Sequence, residues 1–262
     1  MNNTYSLKTL FNVEKHTVIV TGANGQVGSE IVDALIDLGS KVIAVDIEFK
    51  NLEKHKSNEN FIKFKCDITS EKNVKKLYAQ LNNKNTQPTA LINNAGISFF
   101  NHFLERSEVE LDKTYEVNLK ATVLLIKCFY KMSSKKKFTR KIINIASHYG
   151  IIAPNFSIYS EGDRRNSEIY GATKAGLIQI TKYFSTYSYK YNILVNAIAP
   201  GGIFNPKSPQ SSKFKKKYSE ICPLKRMAET KELIGAIIYL LSDSSSYTNG
   251  HTIVIDGGFS VW

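Results

Sequence analysis

The segment YGATK places a tyrosine and a lysine four residues apart, at Tyr170 and Lys174. Four residues are just over one helical turn, so in a helix the two side chains lie on the same face. A free phenol has a pKa near 10, which is too high for a base at pH 7. A cation about 4 Å away, at an effective dielectric near 20, would lower that pKa by about three units. Such a pair could exchange protons with a substrate near neutral pH.

A glycine-rich segment, TGANGQVG, follows an apolar stretch near the N-terminus and carries Gly22, Gly25 and Gly28. Glycines at a strand-to-helix turn let the backbone approach a pyrophosphate, and the helix N-terminus offers free N–H groups and a partial positive charge. The pattern alone is weak, since any tight turn can need glycine, but the surrounding strand–helix–strand unit strengthens it. It predicts a dinucleotide site that also includes Asn24, Gln26 and Val27.

Two aspartates follow the next two predicted strands. Asp46 lies 18 residues after Gly28. A carboxylate there can accept hydrogen bonds from both adenosine ribose hydroxyls and would repel a 2′-phosphate, which favours NAD(H) over NADP(H). The alternative is a solvated aspartate at a strand end. Asp67, followed by Ile68 in CDI, is placed to meet an adenine edge, and a charge at a helix N-terminus explains it equally well.

These residues need a scaffold that brings them together. Apolar stretches predict strands over 16–21, 41–46, 61–66, 89–96, 140–147, 192–202 and 251–256. Amphipathic stretches predict helices over 25–39, 70–81, 107–118, 120–134, 170–190 and 230–242. Strands without polar alternation indicate a mostly parallel sheet buried on both faces. We therefore predict an α/β fold over 1–262, a single domain with a doubly wound parallel sheet of Rossmann type flanked by helices. Its ligands would lie beyond the carboxyl ends of the strands.

Composition narrows the choice of partners. The chain has 262 residues, and it shows neither an apolar run long enough for a bilayer nor a secretory signal. Three scattered cysteines suggest no metal site and fit a reducing cytoplasm. The net charge of +12 could indicate a nucleic acid or an anionic substrate. However, the lysines are spread out, and the clusters at 135–137 and 213–217 match no nucleic-acid-binding motif. We expect a cytoplasmic protein that binds neither nucleic acid nor membrane.

Several short motifs occur in a fixed order along nearly the whole chain. They are TGANGQVG, VD at 45–46, CDI, NNAG at 93–96, VNL at 117–119, NIAS ending at Ser147, YGATK, NAIAPGG and IDGG. Together they resemble the short-chain dehydrogenase/reductase family, whose members move a hydride between a nicotinamide cofactor and carbon. The long segment before YGATK, GGIF and the aromatic end DGGFSVW are similar to reductases of bacterial surface-sugar and flagellin-modification pathways. That similarity implies a sugar-like substrate with a carbinol or ketone.

The resemblance also implies a role for each matching residue. Tyr170 would be the general acid/base, and Ser147 would hydrogen-bond the substrate oxygen. Lys174 would bind the nicotinamide ribose and lower the pKa of the tyrosine. Asn118 would hold a water molecule in a proton relay. The remaining cofactor contacts would come from Asn94, Ala95, Gly96, Pro200, Gly201 and Ile203. Family members form dimers or tetramers, so a homodimer or homotetramer is expected.

Tyr159 competes with Tyr170 for the catalytic position. It lies 12 residues after Ser147, close to the usual family separation, whereas Tyr170 lies 23 residues after it. The chemistry favours Tyr170, because Tyr159 is followed four residues later by Asp163, whose carboxylate would raise the phenol pKa. The extra residues would lengthen a loop near 151–169 on the substrate side.

Two basic segments would border the substrate. Arg164 and Arg165 could bind a phosphate or carboxylate, since guanidinium groups match these anions, or could simply face water. The segment 201–220 is rich in proline, serine and lysine, which suggests a mobile lid that closes over the substrate. Its lysines could likewise meet an anionic substrate or water.

The favoured hypothesis is an NAD(P)-dependent oxidoreductase that interconverts a secondary alcohol and a ketone. Its substrate would be an anionic, sugar-like small molecule, such as a sugar phosphate or nucleotide sugar. One alternative is a 3-oxoacyl thioester reductase whose lysines dock an acidic carrier protein. Another is a non-catalytic dinucleotide-binding sensor or scaffold, and the intact set of Asn118, Ser147, Tyr170 and Lys174 argues against it.

Overall fold

The computed structural model describes residues 6–84, 86–132, 139–160 and 164–261. Its strands are β1 (Thr17–Thr21), β2 (Lys41–Asp46), β3 (Phe61–Lys65), β4 (Ala90–Asn93), β5 (Arg140–Ile145), β6 (Ile193–Pro200) and β7 (Thr252–Ile255). They form one seven-stranded sheet in the order β3-β2-β1-β4-β5-β6-β7. Each neighbouring pair is parallel. The predicted parallel sheet of Rossmann type is confirmed.

The helices are α1 (Leu7–Leu10), α2 (Gln26–Asp37), α3 (Glu71–Asn83), α4 (Glu108–Tyr115), α5 (Ala121–Lys131), α6 (Glu168–Ser185), α7 (Ser188–Tyr191), α8 (Ser212–Ile221) and α9 (Ile234–Leu241). A π-helical stretch, Glu116–Lys120, joins α4 to α5. The α8 helix lies in the segment that the sequence predicted to be a mobile lid. Phe214 and Tyr218 form its buried face. Their spacing of four residues indicates a helix, although the proline, serine and lysine content of the segment suggested a loop.

The alternating direction of side chains along each strand explains why helices pack on both faces of the sheet. In β1, Val18 and Val20 face a cluster that includes residues of α2 and α9. Ile19, between them, faces the opposite cluster, which includes residues of α3 and α5. Successive strand residues point to opposite faces, so a sheet covered by helices on both sides needs apolar residues at each position. This accounts for the continuous apolar stretches of the sequence.

The strand order fixes where a ligand can bind. The chain builds the sheet outward from β1 to β3 and then returns to place β4 on the other side of β1. The loops after β1 and β4 therefore run in opposite directions and open a crevice at the carboxyl edge. Within the described ranges, no helix is both long and apolar enough to cross a membrane.

Candidate active site

The turn between β1 and α2 lies directly against the loop that follows β4. Gly22 has a φ of +61°, and a Cβ atom there would lie 2.7 Å from the Ala95 Cα. A Cβ atom on Gly28 would lie 2.0 Å from the Gly22 carbonyl oxygen. Both positions therefore require glycine, the first for its backbone conformation as well as for space. The close approach brings the start of α2 to the edge of the crevice.

Hydrogen bonds join the same two loops. The Asn94 side chain donates to the carbonyl oxygens of Thr21 and Gly22, both at 3.0 Å. The Thr21 hydroxyl accepts from the backbone N–H groups of Asn94 and Ala95 at 3.1 and 3.2 Å. Thr21 was not predicted as a site residue, although a buried threonine at the end of a strand is a polar group that needs partners.

A cavity of about 610 Å³ opens beside this turn, and we call it the glycine-loop cavity. The predicted cofactor residues that line it are Gly22, Asn24, Gly25, Gln26, Val27, Asp46, Asp67, Ile68, Asn94, Ala95 and Gly96. Lys113 and Val117, from α4 and the π-helical stretch, also line it and were not predicted. The structure thus brings together at one crevice the loops that follow the first four strands.

The two aspartates are held in defined positions. One Asp46 oxygen accepts from the Asn24 N–H at 2.8 Å, and the other accepts from the Ile47 N–H at 2.7 Å. Each carboxylate oxygen can accept further hydrogen bonds, so Asp46 can still receive hydroxyl groups. Asp67 accepts from the Thr69 hydroxyl and N–H at 2.7 and 3.0 Å. The hydroxyl hydrogen bond lowers the pKa of Asp67, which keeps it ionised. Asp67 therefore both stabilises its own turn and lines the cavity.

A second cavity of about 360 Å³, the tyrosine cavity, adjoins the first. Both cavities are lined by Gln26, Val27, Asn94 and Gly96. The predicted residues that line the tyrosine cavity alone are Ser147, Tyr170, Lys174, Pro200, Gly201 and Ile203. Residues that line it but were not predicted include His148, Tyr149, Asn166, Phe204, Phe214 and Met227. They come from loops and from α8, whose approach to the site depends on the tertiary fold.

Tyr170 and Lys174 share one face of α6, as their spacing predicts. The Ser167 hydroxyl caps the helix by accepting from the Tyr170 N–H at 3.2 Å. The Lys174 ammonium lies 5.6 Å from the centre of the Tyr170 ring and donates to the Ile145 carbonyl at 2.8 Å. The Ser147 hydroxyl hydrogen-bonds the Tyr170 hydroxyl. A serine, a phenol and an ammonium group therefore meet in one cavity.

The pKa of Tyr170 differs from what the sequence predicted. Burial raises the pKa of Tyr170, and the Ser147 hydrogen bond only partly opposes that effect. Burial also lowers the pKa of Lys174 to about 8. The predicted lowering of the tyrosine pKa by Lys174 assumed a separation of about 4 Å and neglected desolvation. In the structure desolvation is the larger effect, so the chain's own residues keep Tyr170 protonated at neutral pH.

Asn118 lies within the π-helical stretch and lines neither of the two cavities. Its side-chain oxygen accepts from the Ile97 N–H at 2.8 Å. Its amide donates to the Ile97 carbonyl at 3.0 Å and to the Thr173 hydroxyl at 3.2 Å. A Cβ atom on Gly96 would lie 3.3 Å from the Lys174 ammonium and 3.5 Å from the Asn118 side-chain oxygen. Asn118 therefore fixes the loop after β4 against α6, and its role in a proton relay stays a prediction.

Tyr159 also lines the tyrosine cavity, but its surroundings differ from those of Tyr170. Its hydroxyl lies 3.0 Å from the Tyr149 hydroxyl, and its ring packs against Phe214 with centroids 5.1 Å apart. The ammonium of Lys174 lies beside Tyr170. The geometry therefore favours Tyr170 for the catalytic position. Asp163, on which the sequence argument relied, lies outside the described residues, as does the lysine cluster at 135–137.

The two substrate-side segments are bound to each other. The Arg164 guanidinium donates to the Ser208 hydroxyl at 2.8 Å and to the Ser208 carbonyl at 2.6 Å. Lys217 donates to the Ser157 carbonyl at 2.7 Å. The Gln26 side chain donates to the Phe204 carbonyl at 2.6 Å, which links the lid segment to the glycine turn. Arg164 lines the tyrosine cavity, and Arg165 is not among the residues that line it.

Comparison with known proteins agrees with this geometry. A family model described as Enoyl-(Acyl carrier protein) reductase matches residues 22–260. The chain is 30% identical to an NADH-dependent L-xylulose reductase of Ambrosiozyma monospora, over 96% of this chain and 97% of that protein. It is 25% identical to post-translational flagellin modification protein A of Campylobacter coli, over 95% and 100% of the two chains.

Among solved structures, a short-chain dehydrogenase from Leptospira borgpetersenii with bound NAD+ is similar to this chain. The TM-score is 0.90, with 35% identity over 99% of both chains. The chain belongs to the short-chain dehydrogenase/reductase family and is an NAD(P)-dependent oxidoreductase. In the described ranges, no group of three or more His, Cys, Asp or Glu residues could hold a metal ion.

Proposed function

We propose that the protein interconverts a secondary alcohol and a ketone on a sugar-like small molecule, with NAD(H) as cofactor. The observation that carries this proposal is the meeting of Ser147, Tyr170 and Lys174 in a cavity that shares Asn94 and Gly96 with the glycine-loop cavity. The glycine-loop cavity would hold the dinucleotide, with the free N–H groups at the start of α2 facing its phosphates.

A nicotinamide dinucleotide supplies or accepts the hydride when it is bound. The residues of the chain position the substrate and handle the proton. Ser147 orients the substrate oxygen, and Tyr170 exchanges a proton with it. Because burial keeps the Tyr170 phenol protonated, it is ready to donate to an oxygen that gains negative charge, which is the direction of ketone reduction. Lys174, beside the ring, would stabilise the phenolate that remains, and together with Gly96 it would hold the nicotinamide ribose.

We infer a preference for NAD(H) from Asp46, which lines the glycine-loop cavity and retains lone pairs for ribose hydroxyls. A 2′-phosphate at that position would meet a carboxylate whose oxygens are already fixed by two backbone N–H groups. The repulsion of like charges would therefore not be relieved by a simple rotation of the side chain.

The lining of the tyrosine cavity supports a polar substrate without positive charge. Arg164 and Lys174 line it, and among the described residues no aspartate or glutamate does. A guanidinium has five N–H donors, so Arg164 can bind an anion while it holds Ser208. Hydroxyl and amide groups from Tyr149, Asn166 and Ser208 add hydrogen-bonding capacity. A sugar phosphate or another acidic sugar derivative fits this chemistry, and the relative named L-xylulose reductase supports the sugar-like part.

A 3-oxoacyl thioester reductase is the second candidate, because the chain is 32% identical, over 92% of its length, to a 3-oxoacyl-[acyl-carrier-protein] reductase of Rickettsia typhi. The aromatic side chains of Phe100, Phe204 and Phe214, which line the tyrosine cavity, would suit an acyl chain. As part of the favoured proposal we retain a cytoplasmic location and a homodimer or homotetramer, which the family resemblance implies.

The decisive experiment follows nicotinamide absorbance with purified protein. The cofactor is offered with a panel of pentuloses, pentitols, sugar phosphates, nucleotide sugars and 3-oxoacyl thioesters. We expect NADH-dependent reduction within the sugar class. Turnover of thioesters alone would support the second candidate. NADH binding with no turnover in any class would support a non-catalytic binder and contradict the proposal.

A further inference from the structure

Tyr159 lies at the family's usual spacing after Ser147, yet its partner is another phenol and not a lysine. Its hydroxyl lies 3.0 Å from that of Tyr149. Both side chains are largely buried, with 6% and 7% of their surface exposed, and both line the tyrosine cavity. Each hydroxyl is the hydrogen-bond partner of the other, so the pair places polar groups in the wall of the cavity without the cost of an unpartnered buried hydroxyl.

The phenol pair is held from several sides. The Tyr149 N–H donates to the Ser147 hydroxyl at 3.2 Å, so Tyr149 is fixed beside the residue expected to bind the reacting oxygen. Asn166 donates to the Tyr159 hydroxyl. The Asn166 side-chain oxygen is occupied by the Ser98 hydroxyl at 3.4 Å, which orients the amide nitrogen away from Ser98. The position of each hydroxyl is thus determined before a substrate enters.

A count of donors and acceptors gives the pair a function. Each phenol has one O–H donor and an oxygen that accepts. The Tyr159 oxygen accepts from Asn166 and from the Tyr149 hydroxyl, so the Tyr149 proton is used within the pair. The Tyr149 oxygen then accepts from no group among the described residues, and Tyr149 lines the cavity. A substrate hydroxyl that donates to this oxygen would complete the chain of hydrogen bonds.

We propose that Tyr149 is a specificity-determining residue whose hydroxyl binds a second substrate oxygen, a hydroxyl on a carbon next to the reacting carbon. Tyr159 is its positioning residue. This inference rests on the proposed function, since Ser147 and Tyr170 define where the reacting oxygen lies. A hydroxyl is the complementary group because it can donate to the Tyr149 oxygen.

The test uses the intact protein with NADH, L-xylulose and the 1-deoxy and 3-deoxy analogues of L-xylulose. Tyr149→Phe should raise the KM for L-xylulose about tenfold, the effect of one lost hydrogen bond, and leave kcat within about twofold. Tyr159→Phe, which frees Tyr149 to rotate, should raise KM by about threefold. The Kd for NADH should not change in either variant.

The matched control is Tyr130→Phe, which removes a phenol hydroxyl that donates to the Phe184 carbonyl at 2.8 Å and lines neither cavity. Its KM should equal that of the wild type. The wild type should prefer L-xylulose about tenfold, in kcat/KM, over the one analogue that lacks the recognised hydroxyl. For that analogue Tyr149→Phe and the wild type should be equal.

The outcomes separate this inference from the function on which it rests. An unchanged KM in Tyr149→Phe, or equal loss of kcat and NADH affinity, would overturn the role of Tyr149 alone. The wild type alone provides a second test, which holds even if Tyr149→Phe fails to fold. Equal kcat/KM of the wild type for L-xylulose and both analogues would also overturn the role of Tyr149. A wild type that reduces none of the three sugars but reduces a 3-oxoacyl thioester would overturn the proposed substrate class, and this inference with it.

Discussion

Replacement of Lys174 by methionine should abolish turnover and yet make the protein more stable at pH 7. Lys174 has 4% of its surface exposed, and burial lowers its pKa from 10.5 to about 8. Holding the charge inside the protein therefore costs about 3 kcal/mol. Methionine has similar length and no charge. It loses the hydrogen bond to the Ile145 carbonyl, worth about 1–2 kcal/mol, so the net gain is about 1–2 kcal/mol.

The gain in stability of Lys174→Met should depend on pH. Between pH 8 and 10.5 the unfolded chain holds the Lys174 proton more tightly than the folded chain. The free energy of unfolding of the wild type therefore rises with pH in that window, and the advantage of Lys174→Met shrinks. Thermal and urea unfolding at pH 7 and pH 10 measure both effects. At pH 7 the Tm should rise by about 4 °C.

Lys141 provides a matched control at the other end of β5. It is also buried, its pKa is lowered by burial to about 8, and its ammonium donates to the Ser245 hydroxyl at 3.1 Å. It lines neither cavity. Lys141→Met should stabilise the protein with the same pH dependence and leave NADH-dependent turnover intact. Destabilisation by both substitutions, with no dependence on pH, would refute the reasoning from burial.

Three further predictions concern the site. Tyr170→Phe should reduce kcat by at least about a thousandfold, since the proton donor is lost, while the Kd for NADH stays within about twofold; a fully active variant would reassign the acid/base. Asp46→Asn should improve NADPH binding relative to NADH, measured by fluorescence titration, because the repulsion of a 2′-phosphate is removed; an unchanged ratio would remove that role from Asp46. Arg164→Ala should raise the KM for a sugar phosphate about tenfold, and Arg165→Ala, which does not line the cavity, should leave it unchanged. Equal effects of the two arginine substitutions would make the loop structural.

Much of the fold was predictable from the sequence, because its signals are local. Each of the seven apolar stretches forms a strand in the described part of the chain, and the lack of polar alternation identified a parallel sheet covered on both faces. The helix predicted over 70–81 is present as α3, and the Ser70 hydroxyl caps it by accepting from the Asn73 N–H. The residues at the carboxyl ends of the strands could be assigned to one crevice, because parallel strands end at a common edge.

What the sequence could not predict depends on contacts between distant segments. The sequence favoured Tyr170 over Tyr159, because Lys174 follows it at helical spacing, and the Lys174 ammonium lies beside the Tyr170 ring. The sequence could not predict the partners of Tyr159, which are the Tyr149 hydroxyl and the Phe214 ring. The pKa of Tyr170 is raised, because desolvation is set by everything packed around the phenol and not by its partner on the helix.

The lid segment, 201–220, also depends on contacts that its own sequence does not reveal. Its composition suggested a mobile loop, but Phe214 and Tyr218 pack into the cluster around Tyr159, and this burial stabilises α8. Arg164 contacts Ser208 across 44 residues of sequence, and Gln26 contacts Phe204 across 178. The sequence by itself determined the succession of strands and helices, the glycine turn, the candidate residues at the strand ends and the pairing of Tyr170 with Lys174. Only the tertiary structure decided what surrounds Tyr159 and how burial sets the charge of Tyr170, because both depend on groups that the chain brings together from far apart.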